Sequence, residues 1–307
     1  MILAVGLNAA IDVTYRTERL IPGQSHRVAD VHERAGGKGI NVARVLVQLA
    51  EPVAVCGFAG GATGAAIADD LRRAGIAGEF TATSSRSRRT VTVVDGEQAT
   101  VFNEPGGPVT AGEWRRFRAD FESRLADADV VVLSGSVPPG VPADGYAQLT
   151  RLAQRAGAAV VLDAEGTQLS RALLARPQLA KPNAAEAGRL LGRVVRTPDD
   201  ALAAARRLVT AGAQTALVSL GSGGFVAVGG DGALRVRLPY PISGNPTGAG
   251  DALAAVLARG LAHSARWPPT LVEAAAVSAA AVALPTAGGF DPAVAEKLRP
   301  DVTVEEI

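Results

Sequence analysis

Short β-branched runs alternate along this chain with segments of helical spacing, and no other feature narrows the fold as far. The runs are residues 2–5, 53–56, 130–133, 159–162 and 215–219. Helical spacing of apolar residues fills 40–50, 64–74, 111–125, 144–156 and 198–211. Strands alternating with helices predict βαβ units: an α/β fold with a mostly parallel central sheet flanked by helices. The last third turns helical, over 252–261, 271–284 and 292–298. Two stretches depart from this pattern. Residues 12–31 alternate polar and apolar, and 88–102 read as two strands, 90–94 and 99–102, around Asp95-Gly96-Glu97. Asp-Gly between strands is a hairpin signal. Half-polar strands suit a small sheet standing off the main one, a lid over a cleft formed by about 12–31 and 88–103 within a single domain over 1–307.

Hydrophobic residues make up 48% of the chain but aromatics only 4%, so the core must rest on Ala, Val and Leu. A net charge of +1 gives no electrostatic case for nucleic acid or an acidic membrane surface. Cys56 is the only cysteine and lies in a strand-like apolar run, which predicts a core thiol and rules out an intrachain disulfide. His26, His32 and His263 have no metal-ligand spacing. With no leader pattern at the start and no apolar run of about 18 residues, neither a signal peptide nor a membrane span is expected, and a cytoplasmic protein is the default.

The chemistry must lie in the Gly-rich loops, because ligands of open α/β sheets bind beyond the carboxyl ends of the strands. Asn245-Pro246-Thr247-Gly248-Ala249-Gly250-Asp251 runs straight into an apolar helical segment. Such a loop can offer bare backbone N–H groups to an anion at a helix N-terminus, with Asp251 beside it as a base. Asp251 as a simple helix cap is the alternative. Ala35-Gly36-Gly37-Lys38-Gly39-Ile40-Asn41 opens another helix, with Lys38 one of only three lysines among 31 basic residues. It is not a P-loop, since Gly39 follows the lysine where Ser or Thr is needed.

Lys181-Pro182-Asn183 precedes Glu186 with the spacing of a capping box; the same oxygens could hold water around Mg²⁺. Ser219, Gly221 and Gly224 form a turn that could hold nucleotide or be a tight hairpin. Ser134 and Ser136 put hydroxyls at a strand end, and Asp12 beside Asn8 can accept from sugar hydroxyls. Arg86, Arg88 and Arg89 are either a solvated strand edge or a phosphate clamp.

In their order these motifs resemble the ribokinase-like carbohydrate kinases of the PfkB group, over nearly the whole chain. Gly-Gly-Lys-Gly-Ile-Asn at 36–41 is similar to that family's first signature and 245–251 to its second. Ser134-Gly135-Ser136 with Pro138-Pro139-Gly140, Lys181-Pro182-Asn183 and Ser219-Leu220-Gly221 are similar to the phosphosugar branch: 1-phosphofructokinase, tagatose-6-phosphate kinase and the minor 6-phosphofructokinase. The resemblance implies a kinase using ATP and Mg²⁺, with a β-sheet lid through which two chains pair. It implies Asp251 as catalytic base and Gly248, Ala249 and Gly250 as anion hole. Asp12, Gly37, Lys38, Asn41 and Ser136 would hold the sugar, and Arg88 its existing phosphate. Lys181, Asn183, Ser219, Gly221 and Gly224 would face the nucleotide, with Asn183 and Glu186 organising Mg²⁺. The expected reaction is phosphorylation of a hydroxyl on fructose 1-phosphate, fructose 6-phosphate or tagatose 6-phosphate. A kinase of an unphosphorylated sugar or nucleoside, and a non-catalytic sugar-phosphate-binding protein, are the alternatives. The chain departs from the family at Ala9, where Pro is usual, at Ala252, where Ser is usual, and over 284–289.

Overall fold

The computed structural model describes residues 1–96, 98–230 and 232–307. Its strands are β1 (Ile2–Gly6), β2 (Ala10–Thr17), β3 (Asp30–Gly36), β4 (Val53–Ala59), β5 (Ala77–Ala82), β6 (Arg88–Asp95), β7 (Gln98–Asn103), β8 (Val130–Ser134), β9 (Ala159–Asp163), β10 (Leu179–Ala180), β11 (Thr215–Ser219), β12 (Phe225–Gly229), β13 (Gly232–Arg237) and β14 (Thr303–Glu306). Its helices are α1 (Lys38–Gln48), α2 (Gly61–Arg73), α3 (Ala111–Arg124), α4 (Gly145–Arg155), α5 (Gly166–Leu173), α6 (Ala184–Leu191), α7 (Pro198–Thr210), α8 (Ala249–Ala262), α9 (Trp267–Val282) and α10 (Pro292–Leu298).

The large sheet has the order β14-β13-β12-β11-β10-β9-β8-β1-β4-β5. From β11 to β5 neighbouring strands are parallel, and β12, β13 and β14 add an antiparallel edge. Strands buried on both faces read as continuous apolar runs, which is why β1 and β8 were legible and are buried throughout. Alternate side chains then feed two cores. Leu3, Val5, Val131 and Leu133 face Phe117 of α3, Leu149 of α4 and Leu169 of α5; Ile2, Ala4, Val130 and Val132 face Val42 of α1, Val256 of α8 and Val277 of α9. The first core holds an aromatic cluster, in which Phe58 and Phe117 lie 4.8 Å apart and Trp114 and Phe117 5.8 Å. Cys56 sits there too, its thiol pushed up to about 12 by burial, an inert core group as expected.

The two polar-alternating stretches form a separate sheet of order β3-β2-β6-β7. β3 and β7 are antiparallel to their neighbours, while β2 and β6 run parallel. Its strands reach further than expected, from Ala10 and Arg88 and on to Gly36. Glu97, in the expected hairpin turn, lies outside the described residues. Strands β12 to β14 escaped the sequence reading. Their partners run antiparallel at one edge, so β13 and β14 carry Arg235, Arg237, Glu305 and Glu306 and show no apolar run. Replacing Phe117 by Ala removes the centre of the aromatic cluster and should lower unfolding free energy by about 3–5 kcal/mol in urea denaturation.

Candidate active site

Chain order reverses at β1: β4 and β5 lie to one side and β8 to β11 to the other. Loops leaving adjacent strands diverge at such a point and open a crevice. Here the crevice is a cleft of about 1800 Å³, bounded by the strand ends, the N-termini of α1 and α8 and the small sheet. Gly39 allows this closeness in the way expected of the glycines, but toward the protein itself. A Cβ there would stand 2.6 Å from the Gly6 amide nitrogen, so α1 starts directly against the end of β1. Gly36 leaves room for the Asp12 carboxylate in the same way.

The centre of the cleft is an ion cluster around a residue the sequence reading passed over. Asp163 ends β9, is 1% exposed, and lies 3.3 Å from Lys181 Nζ and 3.4 Å from Lys38 Nζ. Ser134 donates to its second oxygen at 3.2 Å. Burial works to push the Asp163 carboxyl up, but the two ammonium groups prevail and hold it below the usual carboxylate range. Lys38 also lies 3.5 Å from Glu186 Oε1, and Asp163 above all raises its pKa, so it stays charged. An acidic residue closing an otherwise apolar strand was the available signal for Asp163.

Gly248 caps α8 with φ 89°, a left-handed conformation that favours glycine; a Cβ would also strike Ala287 at 2.8 Å. Asp251 is therefore the third residue of the helix and not its cap. Its side chain is buried and accepts a 2.8 Å hydrogen bond from Asn41 Nδ2. Burial pushes its carboxyl up to about 7; Lys38, the Asn41 bond and Lys181 act against this, and Asp163 adds to it. In the loop 245–251 the Ala249 N–H turns back to Pro246 O at 3.2 Å. Among the described residues the Gly248 and Gly250 N–H groups have no acceptor, so they are the free donors. Lys181 Nζ would stand 3.5 Å from a Cβ on Gly250, which puts a second cation beside them.

Toward the small sheet, Asp12 is flanked in register by Arg34 and Thr90. Burial raises its pKa against the pull of Arg88, Thr90 and Arg34. Arg88 donates to Asn8 O at 3.0 Å and Thr90 Oγ1 at 3.1 Å, and its guanidinium lines the cleft. Arg86, in contrast, is exposed and reaches Glu104 at 4.0 Å. Ser136 accepts from Asn8 Nδ2 at 3.0 Å, whereas Ser134 is turned inward to Asp163. Gly37 lies at the mouth of the same cleft. Arg34, also unforeseen, ties β3 to Thr286 Oγ1 at 3.1 Å and to Gly288 O at 3.4 Å.

On the opposite side, Ser219, Gly221 and Gly224 line the cleft from the β11–β12 hairpin, closed by Leu220 N–H to Gly224 O at 2.8 Å. Asn183 and Glu186 form the capping box of α6, each bonding the other's amide at 2.9 Å. The box uses Glu186 Oε2 and leaves Oε1 facing Lys38. Among the described residues no group of three His, Cys, Asp or Glu is placed to ligate a metal. Hard oxygen donors in this number suit Mg²⁺ held through water and substrate phosphates, so the donor set fits that ion.

A mostly parallel sheet flanked by helices, with a small separate sheet beside its strand ends, is the ribokinase-like architecture. The chain matches the pfkB family carbohydrate kinases over residues 1–293 and belongs to that family. It is a phosphotransferase acting on a sugar hydroxyl, with a ribokinase-like fold. It is similar to a protein provisionally assigned as a phosphofructokinase from Staphylococcus aureus, at 30% identity and TM-score 0.85 over 100% of this chain and 99% of that one. Escherichia coli phosphofructokinase-2, in its tetrameric inhibited form, matches at 28% identity and TM-score 0.90, covering 97% and 98%. A provisional 1-phosphofructokinase from Thermotoga maritima matches at 27% and TM-score 0.90, covering 100% and 99%. No helix among the described residues is long and apolar enough to cross a membrane.

The Asn41 amide stabilises the ionised form of Asp251. Asn41→Ala should therefore move the Asp251 carboxyl titration above about 7, as followed by ¹³C-carboxyl NMR.

Proposed function

We propose that this chain transfers the γ-phosphoryl group of ATP to a free hydroxyl of a hexose phosphate, with Asp251 as general base. The observation that carries the proposal is the placement of Asp251: buried, held by Asn41 and in the first turn of α8, beside the free Gly248 and Gly250 amides. A carboxylate poised at about 7 accepts a proton readily at neutral pH. As the sugar hydroxyl gives its proton to Asp251, its oxygen bonds to the γ-phosphorus and the bond to the ADP oxygen breaks. The two amides, Lys38 and Lys181 lower the cost of the charge on the transferring group; such catalysis is mostly positioning and electrostatics. When bound, Mg²⁺ supplies further neutralisation of the phosphate oxygens, and Asn183 Oδ1 and Glu186 Oε1 would hold its water shell.

In the same reading the acceptor sits between Asp12, Asn41 and Arg88 under the small sheet, which acts as a lid that excludes water. Arg88 meets the sugar's existing phosphate and Ser136 a second polar group. Support comes from phosphofructokinase-2 of Escherichia coli, which has been solved in complex with fructose-6-phosphate. Two copies pair through their lids, where Val31, Val101 and Phe102 are 46%, 43% and 55% exposed. One observation favours an unphosphorylated acceptor: Arg88 is already engaged by Asn8, Thr90 and the Glu104 carbonyl.

A coupled ADP-release assay across fructose 1-phosphate, fructose 6-phosphate, tagatose 6-phosphate, ribose and adenosine separates the two. Arg88→Ala should raise KM sharply for a sugar phosphate and leave a neutral sugar nearly unaffected. Asp251→Asn should lower kcat by several orders of magnitude with substrate binding largely kept; near-normal turnover in that variant contradicts the base assignment. Because the base must be ionised, kcat/KM should fall below about pH 7.

A further inference from the structure

Of the donors in the proposed anion hole, the Gly250 N–H belongs to a peptide unit that is held from outside its own helix. The Ala249 and Asp251 N–H groups are engaged locally, by Pro246 O at 3.2 Å and Gly248 O at 3.0 Å, whereas Gly250 N–H is free. The carbonyl of its peptide unit is Ala249 O. That oxygen accepts a 2.9 Å hydrogen bond from Ser278 Oγ on α9. The peptide is planar, so fixing the direction of its C=O fixes that of its N–H. A hydrogen bond accepted at the oxygen also polarises the N–H toward an anion.

The Ser278 bond departs from the default for a helix interior. A Ser or Thr there usually returns its hydrogen to the carbonyl four residues back. Thr270, on the same helix, does this, bonding Arg266 O at 2.8 Å. Ser278 crosses to α8 instead, from within the otherwise small, apolar stretch around Val277, Ala279 and Ala280, and its side chain lines the cleft.

We propose that Ser278 is a positioning residue for phosphoryl transfer, aiming the Gly250 N–H at the transferring group through the Ala249 carbonyl. This inference rests on the kinase reading above. It touches neither the base nor the sugar, so its signature is a loss in the chemical step with ground-state binding kept.

The test compares Ser278→Ala and Ser278→Thr with the unaltered chain for kcat, for KM of both substrates, and for inhibition by ADP alone and by ADP with aluminium fluoride, a mimic of the planar transferring group. Loss of one direct donor to such a group costs about 10²–10³ in kcat; loss of a support behind a donor should cost less, about tenfold. Ser278→Ala is expected to lower kcat by about that factor and keep each KM within about twofold; inhibition by the aluminium fluoride complex should weaken in parallel, with ADP alone unaffected. Ser278→Thr, which keeps the hydroxyl, should restore most of the loss. A Ser278→Ala variant with full kcat, whatever its melting temperature, overturns the inference. So does one in which the KM values rise while kcat stays. Asp251→Asn, run alongside, separates the two levels. If it is inactive while Ser278→Ala is fully active, only the role of Ser278 falls. If it too keeps full turnover, the kinase mechanism and this inference fall together.

Discussion

Asp163 joins two lysines from different parts of the chain, and the site is arranged around that contact. Lys38 begins α1, Lys181 follows β10, and Asp163 ends β9, lying 3.4 and 3.3 Å from the two ammonium groups. A carboxylate taken out of water costs several kcal/mol unless it is paired and hydrogen-bonded, and removing one partner of such a set leaves an uncompensated charge. The contacts with both lysines and with Ser134 supply that compensation. They also tie the loops on either side of the strand reversal into one unit, with two cations directed at a cleft whose ligands are expected to be anionic.

The same cluster separates two carboxylates that are chemically alike. Asp163 lies against both lysines and is held below the ordinary carboxylate range. Asp251 is buried just as firmly but receives only the Asn41 hydrogen bond and the more distant pull of the lysines, and rises to about 7. Two titratable groups pushed apart in this way are suited to different tasks, and in the proposed reaction Asp163 is the fixed charge and Asp251 the proton acceptor. The fold sets this up by ending a strand at one carboxylate and placing the other in the first turn of a helix.

Strands buried on both faces were legible because burial forces apolar runs, so 130–133 and 159–162 could be read directly. The small sheet was legible from the opposite signal, alternation, since one face of β2 carries Asp12 and Thr14 into the cleft while Ile11 and Val13 are buried. At the antiparallel edge the signals are short: β12 is a five-residue apolar run, β13 alternates only over Leu234 to Arg237, and β14 is four residues with two glutamates. In the site, spacing was enough to single out Lys38, Asn183, Glu186 and Asp251, all of which line the cleft. It was not enough to separate cap from ligand. Asn183 and Glu186 do form a capping box, while Asp251 lies inside its helix. Asp163, Arg34 and Ser278 stayed hidden because each acts on residues far away in the chain: Lys38, the 286–288 loop and Ala249.

Asp251 is poised by its balance of burial and neighbouring charge, and Asp163→Asn alters that balance without touching Asp251 itself. Removing the Asp163 charge takes away a repulsion that raises the Asp251 pKa, and frees Lys38 and Lys181 to interact with it. The acidic limb of kcat/KM, read on the residual turnover of this variant, should move below its position in the unaltered protein. A limb that stays in place, or moves to higher pH, would contradict that balance.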